Sequence, residues 1–325
     1  MTAADWFALR GLTLALAWFC LLNVAAGLVV ALLAGPLAAN ARRRTALLWF
    51  GLRVFASSAA LAFVAGIFLP SYWLYEPRDV IEGFDMLLTA GALVTCLAVG
   101  AGVVRGVSAW RSAARRTRAW MRRARPLSLP GTNIPAFEID AEAPVLALVG
   151  VLRPRMLVTR GLIAVLTREE LAVAVAHEIG HSHARDNLKR LVMRSVPDVL
   201  PASAPMRALE RRWAASSEDR ADRAAGEHDP RARCALASAL LKVARLTPPV
   251  TPLSEPICTL MGGGDIASRV RRLLDDRTAG SAAGTVRRAA SWTAALAAVA
   301  AIGVAYTPLL RAVHEATELL VRSLP

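Results

Sequence analysis

Apolar residues gather into long uninterrupted runs near both ends of the chain, and between them the pattern shortens to strand and helix periods. The runs are Gly11–Ala34, which carries no charge, then Val54–Leu74, Met86–Val104 and Ala289–Leu310. A helix needs about 20 apolar residues to cross a bilayer, so four spans are expected. The first run is too long for a cleaved signal peptide, and the cluster Arg42, Arg43 and Arg44 follows it rather than precedes it. Arg53 stands at the entry to the second run, where a long side chain can snorkel to the interface. Alanine is only weakly hydrophobic, so a buried core helix is the alternative for the Ala-rich fourth run.

Between the third and fourth runs the sequence reads as a mixed, water-soluble domain entered through a linker at Pro126, Pro130, Gly131 and Pro135. Ala136–Asp140, Val145–Val151 and Met156–Thr159 are short apolar or alternating runs divided by Pro and Gly, which predicts a small sheet. Thr167 and Glu170 have capping-box spacing and open a helix reaching about Ala184. A second helix is expected over 206–225 before Gly226, a third from Pro230 behind the cap Asp229, and a last one over 266–275. Thr247–Gly264, rich in Pro and Gly, reads as a loop able to cover a cleft, and Gly262–Asp265 lacks the Lys and Ser or Thr of a phosphate loop. The expected fold class is an α-helical polytopic membrane protein with a small α+β domain, divided at 1–125, 126–286 and 287–325.

Hydrophobic residues make up 55% of the chain and mean hydropathy is +0.42, which excludes intrinsic disorder. The net charge of +14 lies beside the apolar runs: residues 1–125 hold 14 Arg against 5 acids, whereas 126–286 hold 21 Lys plus Arg against 18 acids. No basic stripe marks the middle segment, so nucleic acid is not an expected partner. Arg105–Arg125 carries eight Arg and no acid, as a cytoplasmic membrane flank does. Together with Arg42–Arg44 it places the middle domain in the cytoplasm and both termini outside a cell membrane crossed several times. Cys20, Cys96, Cys234 and Cys258 form no C-x-x-C pair, so neither a disulfide framework nor a cysteine metal site is indicated.

The chemistry is concentrated in His177-Glu178-Ile179-Gly180-His181. On a helix, positions i and i+4 share a face, so both imidazoles can meet one Zn²⁺ while Glu178 serves its bound water as general base. Catalytic zinc takes three protein ligands and leaves one position open. Glu218 and Asp222 are spaced i, i+4 on the next expected helix, and the longer Glu218 suits the metal while Asp222 accepts a ligand histidine's N–H. Asp219 and Glu210 are the other candidates, and a solvated face is the bland reading. His183 points to another face; His228, beyond that helix, is a weaker candidate for assisting the intermediate. Val145–Val151 raises a further expectation: a free strand edge there would pair with an extended peptide, whereas an internal strand could not.

The pattern His177–His181, Asp186, then Glu218-Asp219-Arg220-Ala221-Asp222, resembles the gluzincin integral-membrane zinc metallopeptidases, which include the HtpX-like and CAAX prenyl endopeptidases and the BlaR/MecR antirepressor peptidases. Leu152–Met156, Arg160–Leu162 and Thr167–Leu171 resemble the strand and helix that precede the zinc motif in the BlaR/MecR family. The resemblance implies a zincin-like metallopeptidase domain, one Zn²⁺ per chain held by His177, His181 and Glu218, Glu178 as base, and Asp222 and Asp186 in support. It implies an endopeptidase acting on cytosolic or membrane proteins, either in regulated proteolysis or in HtpX-like quality control. An idle zinc-bound scaffold is the alternative from another class, which an intact Glu178 disfavours. Only Arg311–Pro325 follow the fourth run, where the antirepressors carry an extracellular penicillin-binding sensor. A signal is therefore expected through the spans, a membrane sensor or a homo-oligomer partner.

Overall fold

The structure, a computed structural model, describes residues 2–39, 45–78, 85–200, 204–226, 229–246, 266–275 and 306–322. Helix α1 spans Ala3–Ala39, and α2, Ala46–Phe63, continues through a π turn at Val64–Phe68 into α3, Leu69–Tyr75. Helix α4 spans Met86–Met121. Three expected runs thus lie in helices of 37, 30 and 36 residues that are long and apolar enough to cross a membrane. Most of the fourth, Ala289–Leu310, lies outside the described residues, and its last residues open a helix at 306–322. Pro70 has no N–H to return to the preceding turn, and the Gly66 carbonyl there accepts a hydrogen bond of 2.6 Å from the Tyr306 hydroxyl.

Leu14, Phe19, Ala60, Val64, Phe68 and Tyr72 form the core of the apolar bundle. Helix α4 runs on for about 54 Å, so most of the Arg-rich stretch that follows the third run is helical, and the chain passes almost directly into a sheet. Strand β1 is Ala124–Leu127, β2 Ala136–Ile139, β3 Leu146–Val149 and β4 Arg155–Thr159, in the order β1-β2-β4-β3. The expected linker is corrected at its start: Pro126 lies in an edge strand, paired antiparallel with β2 opposite Phe137. An edge tolerates a residue without an N–H. Strands β2 and β4 are parallel, and β3 runs antiparallel to β4 at the other edge.

Helices α5, Arg160–Val165, and α6, Arg168–His183, follow the sheet. The capping box forms at the start of α6, with the Glu170 N–H donating to Thr167 Oγ1 and the Thr167 N–H donating to Glu170 Oε2. Glu170 also accepts from Ser238 and Lys242 of α9, Pro230–Leu246, which pins the two helices together. Leu146, Met156, Val158, Leu162, Ala174, Val175, Ala239 and Val243 fill the space between sheet and helices. Helices α7, Asp186–Ser195, α8, Ala204–Gly226, and α10, Ile266–Leu274, complete the domain.

A second core joins the domain to the bundle. Val30, Ala34, Ala46 and Trp49 of α1 and α2 pack with Met193, Met206, Leu209 and Trp213 of α7 and α8. Burying each large apolar side chain of this kind contributes roughly 1.5–3 kcal/mol, so the two parts are fused by packing. The expectation that Arg53 snorkels is also corrected. Helix α2 begins at Ala46, two turns earlier, so Arg53 sits inside it, only 5% exposed and facing Asp198 and Glu210.

Candidate metal centre

Helix α6 carries His177 and His181 one turn apart, and α8 packs across it. The two backbones approach closely because position 180 is glycine: a Cβ there would lie 3.3 Å from the Ala221 Cα. That approach brings Glu218 to the histidines. His177 Nε2 and His181 Nε2 lie 3.2 Å apart, and the Glu218 oxygens lie 3.5 and 3.6 Å from them. All three residues are buried, as is Glu178.

These separations test whether a metal fits. Ligands about 2.0–2.1 Å from a tetrahedral zinc are about 3.4 Å from one another, close to all three distances. Two ring nitrogens facing each other at 3.2 Å beside a carboxylate make a donor set suited to a divalent cation. Glu218 Oε2 also receives no aligned hydrogen bond, although Arg269 Nη1 lies 3.1 Å away. The residues therefore fit a metal with nitrogen and oxygen ligands.

Each histidine is oriented from behind. Asp222 Oδ1 lies 3.0 Å from His177 Nδ1 without an aligned hydrogen bond, and Asp186 Oδ2 is hydrogen-bonded to His181 Nδ1 at 2.7 Å. A carboxylate at Nδ1 keeps the proton there and leaves Nε2 free for a metal. Asp186 also accepts from Ser217 Oγ at 2.5 Å and from Arg220 at 2.6 Å. Burial pushes the Asp186 carboxyl up, but its hydrogen bonds and the charges of His181 and Arg220 hold it down at about 2. Burial acts likewise on Asp222, which His177 and Arg269 hold at about 2. Burial disfavours the charge on His177, yet the Asp222 and Glu218 carboxylates outweigh it and raise its pKa to about 9.

The other carboxylates considered as third ligand lie elsewhere. Asp219 pairs with Arg223 at the surface and Glu210 with Arg53. His183 is exposed, while His228, Cys258, Gly262–Asp265 and the loop Thr247–Gly264 lie outside the described residues. Arg269 of α10 escaped the sequence reading altogether. It is 3% exposed and donates from Nη2 and Nε to the two Asp222 oxygens at 2.6 and 3.0 Å, closing the site from behind. Nothing local signals it, because 47 residues separate it from Asp222.

A cleft of about 300 Å³ opens beside the centre, lined by Leu148, Gly150 and Val151 near β3 and by His181, Asp186 and Asn187. Among the described residues β3 pairs only with β4, and Val145 O accepts from the Thr159 N–H. By alternation the backbone groups of Leu146 and Leu148 point outward from the sheet. Asn187 Nδ2 donates to the outward carbonyls of Leu148 and Gly150 at 3.1 and 3.0 Å.

A small sheet whose edge flanks an H-E-x-x-H helix, with a carboxylate brought in from a later helix, is the frame of a metallopeptidase. The model of peptidase family M48 matches residues 111–275, about half of the chain, and the chain belongs to that family. No curated protein matches it. It is thus a hydrolase of the metalloprotease kind, with three apolar helices that suit it to a membrane.

Proposed function

We propose that the chain is a membrane-bound zinc endopeptidase whose catalytic domain faces the cytoplasm and which acts in regulated proteolysis. The observation that carries the reading is the triangle of His177 Nε2, His181 Nε2 and Glu218 at 3.2, 3.5 and 3.6 Å. His177, His181 and Glu218 hold one zinc. When bound, the zinc supplies a Lewis acid for the scissile carbonyl and lowers the pKa of its water toward ~7. Glu178, next to His177 on α6, takes the proton from the attacking water and returns it to the departing amine. Asp222 and Asp186 hold the imidazoles in the tautomer that presents Nε2.

The substrate lies extended along β3, bonded through backbone groups, so the cleft reads shape before side chains. Leu148→Pro removes an outward N–H, and is expected to lower cleavage of a long peptide while zinc stays bound; unfolding instead would place the strand in the structural core. The Arg-rich flank supports the cytoplasmic orientation. A reporter active only in the cytosol, fused at Gly131, should give signal. One observation favours membrane-protein quality control as a second reading: Val151 and Asn187 line both the cleft and a narrow groove against Ala109 and Trp110 of α4. Ala109 and Trp110 lie in the Arg-rich flank of α4, within two turns of the end of its apolar run, so the cleft opens near where α4 would leave a bilayer. Proteins accumulating in cells that carry Glu178→Gln, identified by mass spectrometry, decide between the two: a soluble repressor supports the first and misfolded membrane proteins the second. Zinc-loaded wild type that cleaves no protein substrate overturns both.

A further inference from the structure

All three apolar helices converge on one short stretch of the peptidase domain, the connection between α7 and α8. From α1, Asn23 Nδ2 donates to Pro197 O at 3.2 Å, while its Oδ1 accepts from the Val199 N–H at 3.2 Å. From α2, Ser57 donates to Pro197 O at 3.0 Å. Arg53 grips Asp198 with both terminal nitrogens at 3.1 and 2.7 Å, and it donates to Met193 O at 3.2 Å and from Nε to Glu210 at 2.7 Å. From α4, Arg105 donates to the carbonyls of Arg194 and Val196. Gly102 lets α4 touch the connection, since a Cβ there would lie 2.6 Å from Ser195 O.

Both ends of the clasped segment lead into the metal centre. Helix α7 begins with Asp186, which orients His181, and α8 carries Glu210 at the clasp and Glu218 at the centre, about 12 Å further along its axis. A helix packed on both sides transmits a shift of one end to the other. Arg53 suits this task better than a lysine, because its planar fork satisfies Asp198, Glu210 and a carbonyl at once.

We propose that Arg53, on the second membrane helix, is a positioning residue for the metal centre, fixing through Asp198 and Glu210 where α8 presents Glu218. The inference rests on the zinc-peptidase reading and adds its route of regulation: displacement of the membrane helices relaxes the clasp and detunes the third ligand. Nothing that binds the bundle needs to reach the cleft.

The experiment uses the full chain in lipid nanodiscs, loaded with Co²⁺ for its visible absorption or with Zn²⁺ for affinity and turnover. The double variant Arg53→Gln, Asp198→Asn removes the clasp and leaves no unpaired charge buried, since Glu210, the other partner of Arg53, is 44% exposed. It is expected to shift the cobalt bands, weaken zinc by about 10-fold, as loss of a ligand's supporting partner does, and lower kcat while KM changes little. Thr95→Val, which removes a buried bond from α4 to Leu16 O away from the connection, should leave the bands unchanged. Should the double variant not fold, Arg53→Lys keeps the charge but not the fork, and a smaller shift of the same sign is expected. Cobalt bands and zinc affinity identical to wild type in the folded double variant, or in Arg53→Lys, overturn the proposal. Wild type that takes up no metal overturns the peptidase reading, and this inference falls with it.

Discussion

The clasp around Pro197 and the centre around His177 are both buried, both charged and both built on α8, yet they are satisfied in opposite ways. At the clasp, Arg53 spends every group of its guanidinium on Asp198, Glu210 and Met193 O. At the centre, two imidazole nitrogens and a carboxylate converge on one point, and Arg269 Nη1, 3.1 Å from Glu218 Oε2, makes no aligned hydrogen bond to it. The first arrangement is complete within the chain and holds a shape. The second asks for a cation, and its supports Asp222, Asp186 and Arg269 are spent on keeping that demand in place. Burial alone thus does not mark a reactive site; convergence of acceptors does.

The contrast breaks most sharply at the metal. Glu178→Gln should keep zinc and lose peptide hydrolysis by about 10²–10⁴-fold, whereas His177→Ala should lose the zinc itself, both checked by metal analysis beside a peptide assay. Glu218→Ala should weaken zinc strongly and Asp222→Ala by about 10–100-fold, measured by competition with a chelator. Unchanged affinity in Glu218→Ala would remove it as a ligand. At the clasp the effect should fall on stability: Arg53→Ala leaves Asp198 buried without its partner, at a cost of about 3–5 kcal/mol, and adding Asp198→Asn should recover part of it. Thermal melting of the full chain reads both.

Smaller still is the effect expected at the start of α6. Burial raises the Glu170 carboxyl, but Lys242, Ser238 and the Thr167 N–H outweigh it and lower its pKa from 4.5 to about 2. A depressed carboxylate stabilises fully above its unfolded value and loses that contribution as pH falls through the folded one. Glu170→Gln should therefore cost about 1 kcal/mol near neutrality, since solvent reaches Lys242 and screens the pair, with wild type and variant converging between pH 4.5 and 2. A gap that persists at pH 2 would mean packing rather than charge is at work.

What the chain discloses about itself follows sequence distance. The capping box at Thr167 and Glu170, the His177–His181 pair and the Glu218–Asp222 pair are all separations of three or four residues, which a helix turns directly into geometry. The three apolar runs are equally plain, since their signal is summed over about 20 positions. Arg269 and Arg53 were not legible as partners, because the carboxylates they meet lie 47, 145 and 157 residues away. Helix α7 was missed for another reason. Arg185 enters it in the left-handed region, with φ of 53°, a break in the helix at a residue whose type does not announce one. Strand β1 was hidden by Pro126, which reads as linker until an edge is available to hold it.

The core shared by Trp49, Leu209 and Trp213 bears on the order in which the molecule can be made. Residues 1–121 leave the ribosome first and can be inserted as a hairpin-like set of helices before α8 exists. When 204–226 emerges, its apolar stripe meets a surface already formed, with Val30, Ala34, Ala46 and Trp49 in place. A peptidase domain expressed alone from residue 126 would instead expose Met193, Met206, Leu209 and Trp213, which are now 5%, 6%, 0% and 2% accessible. Such a fragment should aggregate and self-associate through that stripe. On this expectation the domain takes its shape against the bundle, and a copy whose bundle fails to form should have no folded site with which to cut its neighbours.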